Sequence, residues 1–147
     1  MSYVRLVPAF ALMITLGVAS CQSMAGRDAS AASGCQVTYV FDGDTVAMDC
    51  PGLGEFRARL TGYDTPEAFE PGCPEESALA RAATDRLRAL VATASAVEPD
   101  LAGTDRYGRR LVDLRLDGRD VSATLISEGL AVPYSGGPRI DWCARRA

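Results

Sequence analysis

A β-hairpin is encoded between Cys35 and Cys50, where the sequence reads CQVTYVFDGDTVAMDC. The segment from Cys35 to Phe41 alternates and is rich in β-branched and aromatic residues, which favours a strand. Asp42-Gly43 is typical of a two-residue hairpin turn, so the segment from Asp44 to Cys50 is predicted to return as the partner strand. Pairing about that turn places Cys35 opposite Cys50, within the Cα separation that a disulfide requires.

The rest of the folded part combines strands with two helices. Glu55 to Gly62 is predicted to be a third strand, and Glu75 to Thr93, with apolar residues near helical spacing, is predicted to be the longest helix. Ala96 to Leu101 and Arg110 to Leu116 follow as strands, and Val121 to Leu130 as a second helix. This order predicts a mainly β protein with α (α+β), a five-stranded OB-fold barrel with a helix between strands 3 and 4 and a second short helix. Such barrels bind oligonucleotides or oligosaccharides on one face.

The N-terminal segment has the pattern of an export signal. An almost unbroken apolar run, Leu6 to Val18, follows a short start with one Arg, so residues 1–20 are predicted to be a signal peptide. Val18-Ala19-Ser20-Cys21 resembles the lipobox of bacterial lipoproteins, which predicts lipidation at Cys21; ordinary cleavage after Ser23-Met24-Ala25 is the alternative. Residues 21–34, rich in Ala, Ser and Gly, are predicted to be a flexible tether, and residues 35–147 the folded domain. The expected location is periplasmic or extracellular, with a lipid anchor in a bacterial membrane.

Either cleavage leaves an even number of cysteines in the folded part. These are Cys35, Cys50, Cys73 and Cys143. Export to an oxidising compartment favours two disulfides, for which three connectivities exist. The hairpin selects Cys35 with Cys50, and Cys73 with Cys143 then remains.

The composition excludes several kinds of catalytic site. The chain has 147 residues, of which 48% are hydrophobic and 23% charged, as expected of one globular domain. It has no His, and all 15 basic residues are Arg, which excludes His-activated nucleophiles, His-ligated zinc and Lys-containing phosphate loops. Carboxylate and arginine chemistry remains, which suits hard cations and phosphate groups. The net charge of −4 restricts any nucleic-acid contact to a local patch.

Three clusters carry this chemistry, although each also has an ordinary structural explanation. Asp42-Gly43-Asp44-Thr45 offers two carboxylates that can converge on a cation, but it is also what a hairpin turn uses. The segment from Arg59 to Glu67, RLTGYDTPE, places a guanidinium before two carboxylates; it also resembles a helix start, which Glu70-Pro71-Gly72 would stop within a turn. The segment from Asp105 to Arg110, DRYGRR, is a basic turn that in isolation fits a solvated loop.

Taken in order, these clusters resemble the staphylococcal nuclease family. The match extends from about Val37 to Ala131 and includes Gly129-Leu130-Ala131 after the last helix. The family is an OB-fold barrel, in agreement with the strand order, and its enzymes cleave DNA and RNA with Ca²⁺ to leave 3′-phosphates. The resemblance therefore implies a secreted calcium-dependent endonuclease that hydrolyses phosphodiester bonds of DNA, RNA or both.

The resemblance implies a calcium site and a base. Asp44 and Asp64 would be carboxylate ligands of Ca²⁺, Thr65 would contribute its backbone carbonyl, and Asp42 would lie behind these ligands. Glu67 matches the glutamate usually described as the general base. A carboxylate of ordinary pKa is ionised at neutral pH and can take a proton from the attacking water or orient it.

The resemblance also implies a phosphate-binding pair. Arg59 and Arg109 match the two arginines that contact the phosphate, and Tyr107 in the same loop would bind substrate. Arg57 has no match and is expected on the strand surface. Tyr134 is expected to be a packed aromatic of the tail, with a position near the nucleotide as the alternative.

Two departures from the family distinguish this chain. The loop from Ala68 to Pro74 holds Cys73 and acidic residues and has no Lys, so weaker substrate affinity is expected. The long final helix is missing after Leu130, and a bond between Cys73 and Cys143 is expected to clamp the tail in its place.

Two other functions compete with the enzyme. One is a non-catalytic module that binds single-stranded nucleic acid, and the other is an envelope lipoprotein whose barrel binds a cell-wall oligosaccharide or a protein. Nuclease-like modules that only bind typically lose the carboxylates, so the presence of Asp44, Asp64 and Glu67 favours a nuclease. A monomer is expected.

Overall fold

The structure, a computed structural model, describes residues 34–145. Its strands are β1 (Gln36–Val40), β2 (Thr45–Cys50), β3 (Gly54–Leu60), β4 (Gly62–Asp64), β5 (Val97–Thr104), β6 (Arg110–Leu116), β7 (Arg119–Asp120) and β8 (Val132–Tyr134), and its helices are α1 (Pro74–Thr93) and α2 (Val121–Ser127). The predicted signal peptide, Cys21 and nearly all of the predicted tether lie outside the described residues. Among residues 34–145, no helix is both long and apolar enough to cross a membrane.

The main sheet has the strand order β1-β2-β3-β6-β5, with β7 added to β6, while β4 and β8 form a separate two-stranded ribbon. All pairs are antiparallel except β3 with β6. In chain order, α1 lies between β3 and β5, which are the third and fourth of the five strands in this path, as predicted. The predicted α+β OB-fold is confirmed, although the hydrogen-bonded path is open within the described residues, with β1 and β5 at its two ends.

The turn between β1 and β2 is wider than the predicted two-residue turn. Four residues, Phe41 to Asp44, separate the strands, and the Phe41 N–H donates to the Thr45 carbonyl at 3.0 Å. Gly43 does not have the positive φ that a two-residue hairpin turn requires. Its missing side chain instead allows a close approach, because a Cβ there would lie 2.9 Å from Thr65 Cγ2 and 3.0 Å from Ala83 Cβ.

A β-bulge corrects the register that the wider turn changes. Val40 pairs with Val46, one residue away from the predicted register, and an extra residue at Thr38 removes this offset farther along the hairpin. The predicted disulfide between Cys35 and Cys50 is therefore formed, with 4.1 Å between the two Cα atoms.

The core lies between the sheet and the two helices. In strand β6, apolar and charged residues alternate from Val112 to Leu116, with the apolar ones buried and the charged ones exposed. Its inward residues pack with one buried face of α1 and one of α2; the buried side chains include Val46, Met48, Leu60, Leu87, Val112, Leu114, Val121 and Leu125. Helix α2 ends at Ser127, three residues before the predicted end, because Gly129 takes a φ of 75° and turns the chain.

Two contacts hold the C-terminal tail against the site. Strand β8 pairs with β4, which places Val132 opposite Asp64 and Tyr134 opposite Gly62. The predicted second disulfide joins Cys73, the N-cap of α1, to Cys143. The tail is thus fixed at both ends of its course past β4.

Candidate active site

One cleft of about 950 Å³ gathers polar side chains from separate parts of the chain. Its walls come from the β1-β2 turn, β3, the loop after β4, the β5-β6 turn and the tail. Six of its lining residues are predicted site residues from three separate clusters, namely Asp44, Arg59, Thr65, Glu67, Tyr107 and Arg109. Asp64 lies directly behind this lining, where it is 1% exposed.

Arg59 joins the two buried aspartates. Its Nη1 forms an ion pair with Asp44 Oδ2, and its Nη2 lies 3.2 Å from Asp64 Oδ1. The hydroxyls of Thr45 and Thr65 donate to Asp44 Oδ1 and Oδ2, each at 3.0 Å. Buried carboxylates require such compensation, because they have lost their hydration.

Burial shifts the pKa values of several side chains in this cluster, and for Arg59 a neighbouring like charge adds to the shift. Loss of hydration, followed by the nearby Arg139 guanidinium, lowers the pKa of Arg59 from its usual value. Loss of hydration also raises the pKa of Asp42, whose Oδ1 accepts the Asp44 N–H at 3.0 Å. Burial likewise raises the pKa of the Tyr63 hydroxyl. This hydroxyl donates to the Gly43 carbonyl at 3.0 Å and fixes the turn.

The oxygen atoms of this cluster fit a hard cation. Asp64 Oδ2 is buried and accepts no hydrogen bond from the described residues. A buried carboxylate oxygen without a donor is costly, and a divalent cation would satisfy it. Carboxylate and backbone carbonyl oxygens, such as those predicted from Asp44, Asp64 and Thr65, are ligands that Ca²⁺ takes.

Arg109 is held in the cleft by the turn that carries it. Asp105 Oδ1 accepts the N–H groups of Tyr107 and Arg109 at 2.9 and 3.0 Å, and Asp105 Oδ2 accepts Arg109 Nε at 2.8 Å. Loss of hydration alone would raise the pKa of Asp105, but these hydrogen bonds outweigh it and the pKa lies below its usual value. Arg109 Nη1 reaches Thr45 Oγ1 at 3.3 Å, so it lies beside the aspartate cluster.

Glu67 lines the same cleft. Its side chain is 40% exposed, and its Oε1 accepts the Phe69 N–H at 3.0 Å. Buried Glu76 in the first turn of α1 anchors this loop, because its two carboxylate oxygens accept the N–H groups of Glu67 at 3.1 Å and Gly72 at 2.7 Å. From the sequence, Glu76 was predicted only as a residue of a helix, because the N–H groups that donate to its carboxylate are brought to it by the folded loop.

Exposed aromatic rings border the cleft. Tyr107 is 69% exposed and lies beneath the Arg106 guanidinium, 4.7 Å from it. Arg57, which was expected on the strand surface, lines the cleft and stacks on Phe41 at 3.9 Å. Tyr134, which was expected to pack in the tail, also lines it.

Sequence reasoning missed Arg139. Its Nε and Nη2 lie 2.7 and 2.6 Å from Asp64 Oδ1, so the tail contributes a second guanidinium to the aspartates. A signal was available, because the predicted bond between Cys73 and Cys143 brings the tail to the loop that follows Glu67.

Comparison with known proteins agrees with this geometry. The family model described as Staphylococcal nuclease homologue matches residues 57–140, more than half of the chain. The chain belongs to the staphylococcal nuclease family. The family match contains Arg59, Asp64, Glu67 and Arg109, and it extends to Arg139.

Two curated relatives are similar to about two thirds of the chain. A thermonuclease of Staphylococcus intermedius is 36% identical over 95 residues, and a thermonuclease of Staphylococcus hyicus is 34% identical over 96 residues. Each alignment covers 65% of this chain and 56% of the relative. The chain thus spans a little over half of the length of these relatives.

Proposed function

We propose that this protein is a calcium-dependent nuclease that hydrolyses phosphodiester bonds of DNA, RNA or both. One observation carries the proposal: Asp44, Arg59, Glu67 and Arg109, from three separate clusters, line one cleft, and Arg59 pairs with Asp64 directly behind that lining. The family's relatives, which are thermonucleases, support the same reaction.

Arg59 and Arg109 would stabilise the negative charge that develops on the phosphate during hydrolysis. In-line hydrolysis increases the negative charge on the phosphoryl oxygens and on the leaving oxygen, so fixed cations stabilise the transition state. Arg59 is held by two aspartates and Arg109 by Asp105, so both guanidiniums are oriented before substrate binds. Each such donor contributes on the order of 10²- to 10³-fold to the rate.

Glu67 serves the attacking water. Its carboxylate faces the cleft from a loop that Glu76 anchors, and it can orient a water molecule or accept its proton. Asp44, Asp64 and the Thr65 carbonyl would hold Ca²⁺. The cation would supply positive charge to a phosphate oxygen, and because Ca²⁺ activates water weakly, a separate base is useful.

Cleavage of end-labelled single-stranded DNA and RNA tests the proposal. The full chain is produced with export to an oxidising compartment and assayed in Ca²⁺ and in chelator. We expect cleavage only with Ca²⁺, and a loss in kcat/KM of about 10²- to 10³-fold in Glu67→Gln and in Arg109→Ala.

Matched variants separate these roles from general effects of charge. Glu70→Gln changes a carboxylate of the same loop, and Arg110→Ala removes the guanidinium next to Arg109; neither side chain lines the cleft. Both are expected to retain wild-type rates. A folded protein that leaves both nucleic acids intact in Ca²⁺ would refute the nuclease, and binding without cleavage would favour a non-catalytic module.

We also propose export and a lipid anchor at Cys21. The apolar run and the lipobox support it, and two disulfides in the folded part are typical of an exported protein. Incorporation of labelled fatty acid into the wild type but not into Cys21→Ser tests the anchor.

A further inference from the structure

Arg139 lies among all three acidic side chains proposed for catalysis. Besides its two short contacts to Asp64, its Nη2 is 3.8 Å from Asp44 Oδ2 and its Nη1 is 3.7 Å from Glu67 Oε2. It is the only guanidinium among the described residues that forms ion pairs with all three. Within the described part of the tail, no other residue forms ion pairs with these carboxylates.

The Arg139 side chain is less enclosed than that of Arg59, so its guanidinium can move away from the carboxylates more readily. The Arg59 side chain is 10% exposed and pairs with two buried aspartates, whereas the Arg139 side chain is 47% exposed. The backbone that carries Arg139 is nevertheless fixed, by β8 before it and by the Cys73–Cys143 bond after it. The guanidinium can therefore swing away while the tail remains in place.

Both the net charge of this cluster and the contacts of its carboxylate oxygens indicate that Arg139 competes with a cation. Three carboxylates face two guanidiniums here, so the cluster is already nearly neutral. If a divalent cation bound while both guanidiniums stayed in place, the net charge of the cluster would become positive. Arg139 also occupies Asp64 Oδ1, and an oxygen that accepts two short contacts from one guanidinium is poorly available to a metal.

We propose that Arg139 is the built-in counter-ion of the cation site and that an entering divalent cation displaces it. This inference rests on the proposed function, because it takes Asp44 and Asp64 as cation ligands. It assigns to the tail a role in setting the affinity for metal, through competition for the same carboxylates. The displaced guanidinium stays near the cleft, because the backbone is fixed on either side of Arg139.

Calorimetric titration of the full chain with Ca²⁺, without nucleic acid, tests the inference. Arg139→Gln and Arg139→Met remove the competing charge, so we expect each to bind Ca²⁺ about three- to tenfold more tightly than the wild type, as for loss of a half-exposed ion pair. Arg139→Lys keeps the charge and is expected to bind Ca²⁺ with nearly wild-type affinity. Arg119→Gln removes an exposed arginine outside the cleft and controls for net charge.

The direction of the change separates competition from a structural role. A residue that merely organised the site would weaken Ca²⁺ binding when removed, so equal or weaker binding in both Gln and Met variants would overturn the inference while leaving the proposed cation site intact. An equal gain in Arg119→Gln would also overturn it. If neither wild type nor variants bound Ca²⁺, the proposed cation site would fail together with the counter-ion. Thermal unfolding of each variant checks that the fold is retained. If only one of Arg139→Gln and Arg139→Met folds, that variant alone is enough for the test.

Discussion

Gly43 sets the distance between the two halves of the acidic cluster. The turn that carries Asp44 touches Thr65 and α1 at this glycine, so any side chain must push them apart. We expect Gly43→Ala to lower the free energy of unfolding by about 1–3 kcal/mol, as for overpacking in a core. Urea unfolding of the purified oxidised protein measures this loss.

A second substitution identifies the contact responsible. Thr65→Ser removes the Cγ2 atom that a Cβ at residue 43 would meet at 2.9 Å. We therefore expect the double variant Gly43→Ala/Thr65→Ser to regain part of the lost stability relative to Gly43→Ala. If the two changes were simply additive, the loss would have another origin.

At the level of residues, local motifs could be predicted and distant partners could not. Asp44, Asp64 and Arg59 stand in motifs whose spacing is informative, and they meet in the cleft as the family resemblance implies. Arg139 stands in no such motif. It enters the site because a disulfide and a short strand bring distant segments together, and neither effect has a local signature at Arg139.

The long elements were predictable and the short ones were not. Strand β6 alternates between apolar and charged residues from Val112 to Leu116, and buried residues of α1 recur at helical spacing from Ala80 to Leu87, so both show their periods in the sequence. Strands β4 and β8 have three residues each and β7 has two, which is too short for a period to emerge. Yet the β4-β8 ribbon is what brings the tail to Asp64.

An ion pair between the two helices gives a pH dependence. Arg86 of α1 donates to both carboxylate oxygens of Glu128 at the end of α2, at 2.7 and 2.6 Å. These hydrogen bonds lower the pKa of Glu128 below its usual value. A lowered folded-state pKa means that the stabilisation is present above the unfolded-state pKa and is lost as the pH falls through the folded-state value.

Glu128→Gln tests this contribution. We expect the variant to be slightly less stable than the wild type at pH 7, and the difference to vanish as the pH falls below about 4. Thermal unfolding at pH 7, 5, 4 and 3 gives the comparison. Glu55→Gln changes an exposed carboxylate of β3 and leaves the pair intact, so it serves as a control, and a difference that persisted at pH 3 would contradict the assignment.

The two disulfides are expected to differ in what they stabilise. They close segments with separations of 70 and 15 residues, so the chain-entropy relation gives losses of about 4 kcal/mol for Cys73→Ser/Cys143→Ser and about 3 kcal/mol for Cys35→Ser/Cys50→Ser. Serine retains an N-cap at residue 73, so the first loss reports the cross-link. Chemical denaturation of both double variants measures the two values.

Fluorescence of the single tryptophan distinguishes the two bonds in the native state. Trp142 is buried beside Cys143, so loss of the tail bond is expected to shift its emission to longer wavelength. Loss of the hairpin bond should leave the emission unchanged. A shift in both variants would mean that the tail does not depend on its own disulfide.

At the scale of the whole molecule, an acidic protein concentrates arginine at one place. The chain carries a net charge of −4, yet five arginines line the cleft, namely Arg57, Arg59, Arg106, Arg109 and Arg139. Arg59, Arg109 and Arg139 pair with carboxylates in the protein alone, and a polyanion is expected to engage about three to five of these guanidiniums. A broad basic surface would instead engage many phosphates at once.

The salt dependence of single-stranded DNA binding therefore reports the size of this patch. Each phosphate neutralised contributes about −0.7 to the slope of log K against log salt, so three to five contacts predict a slope between about −2 and −3.5. Fluorescence anisotropy in chelator, which is expected to prevent cleavage, measures it. Arg106→Gln should reduce the steepness by about 0.7, whereas Arg119→Gln, outside the cleft, should not. A slope steeper than about −6, or equal effects of the two variants, would show that the acidic exterior does not confine binding to the cleft.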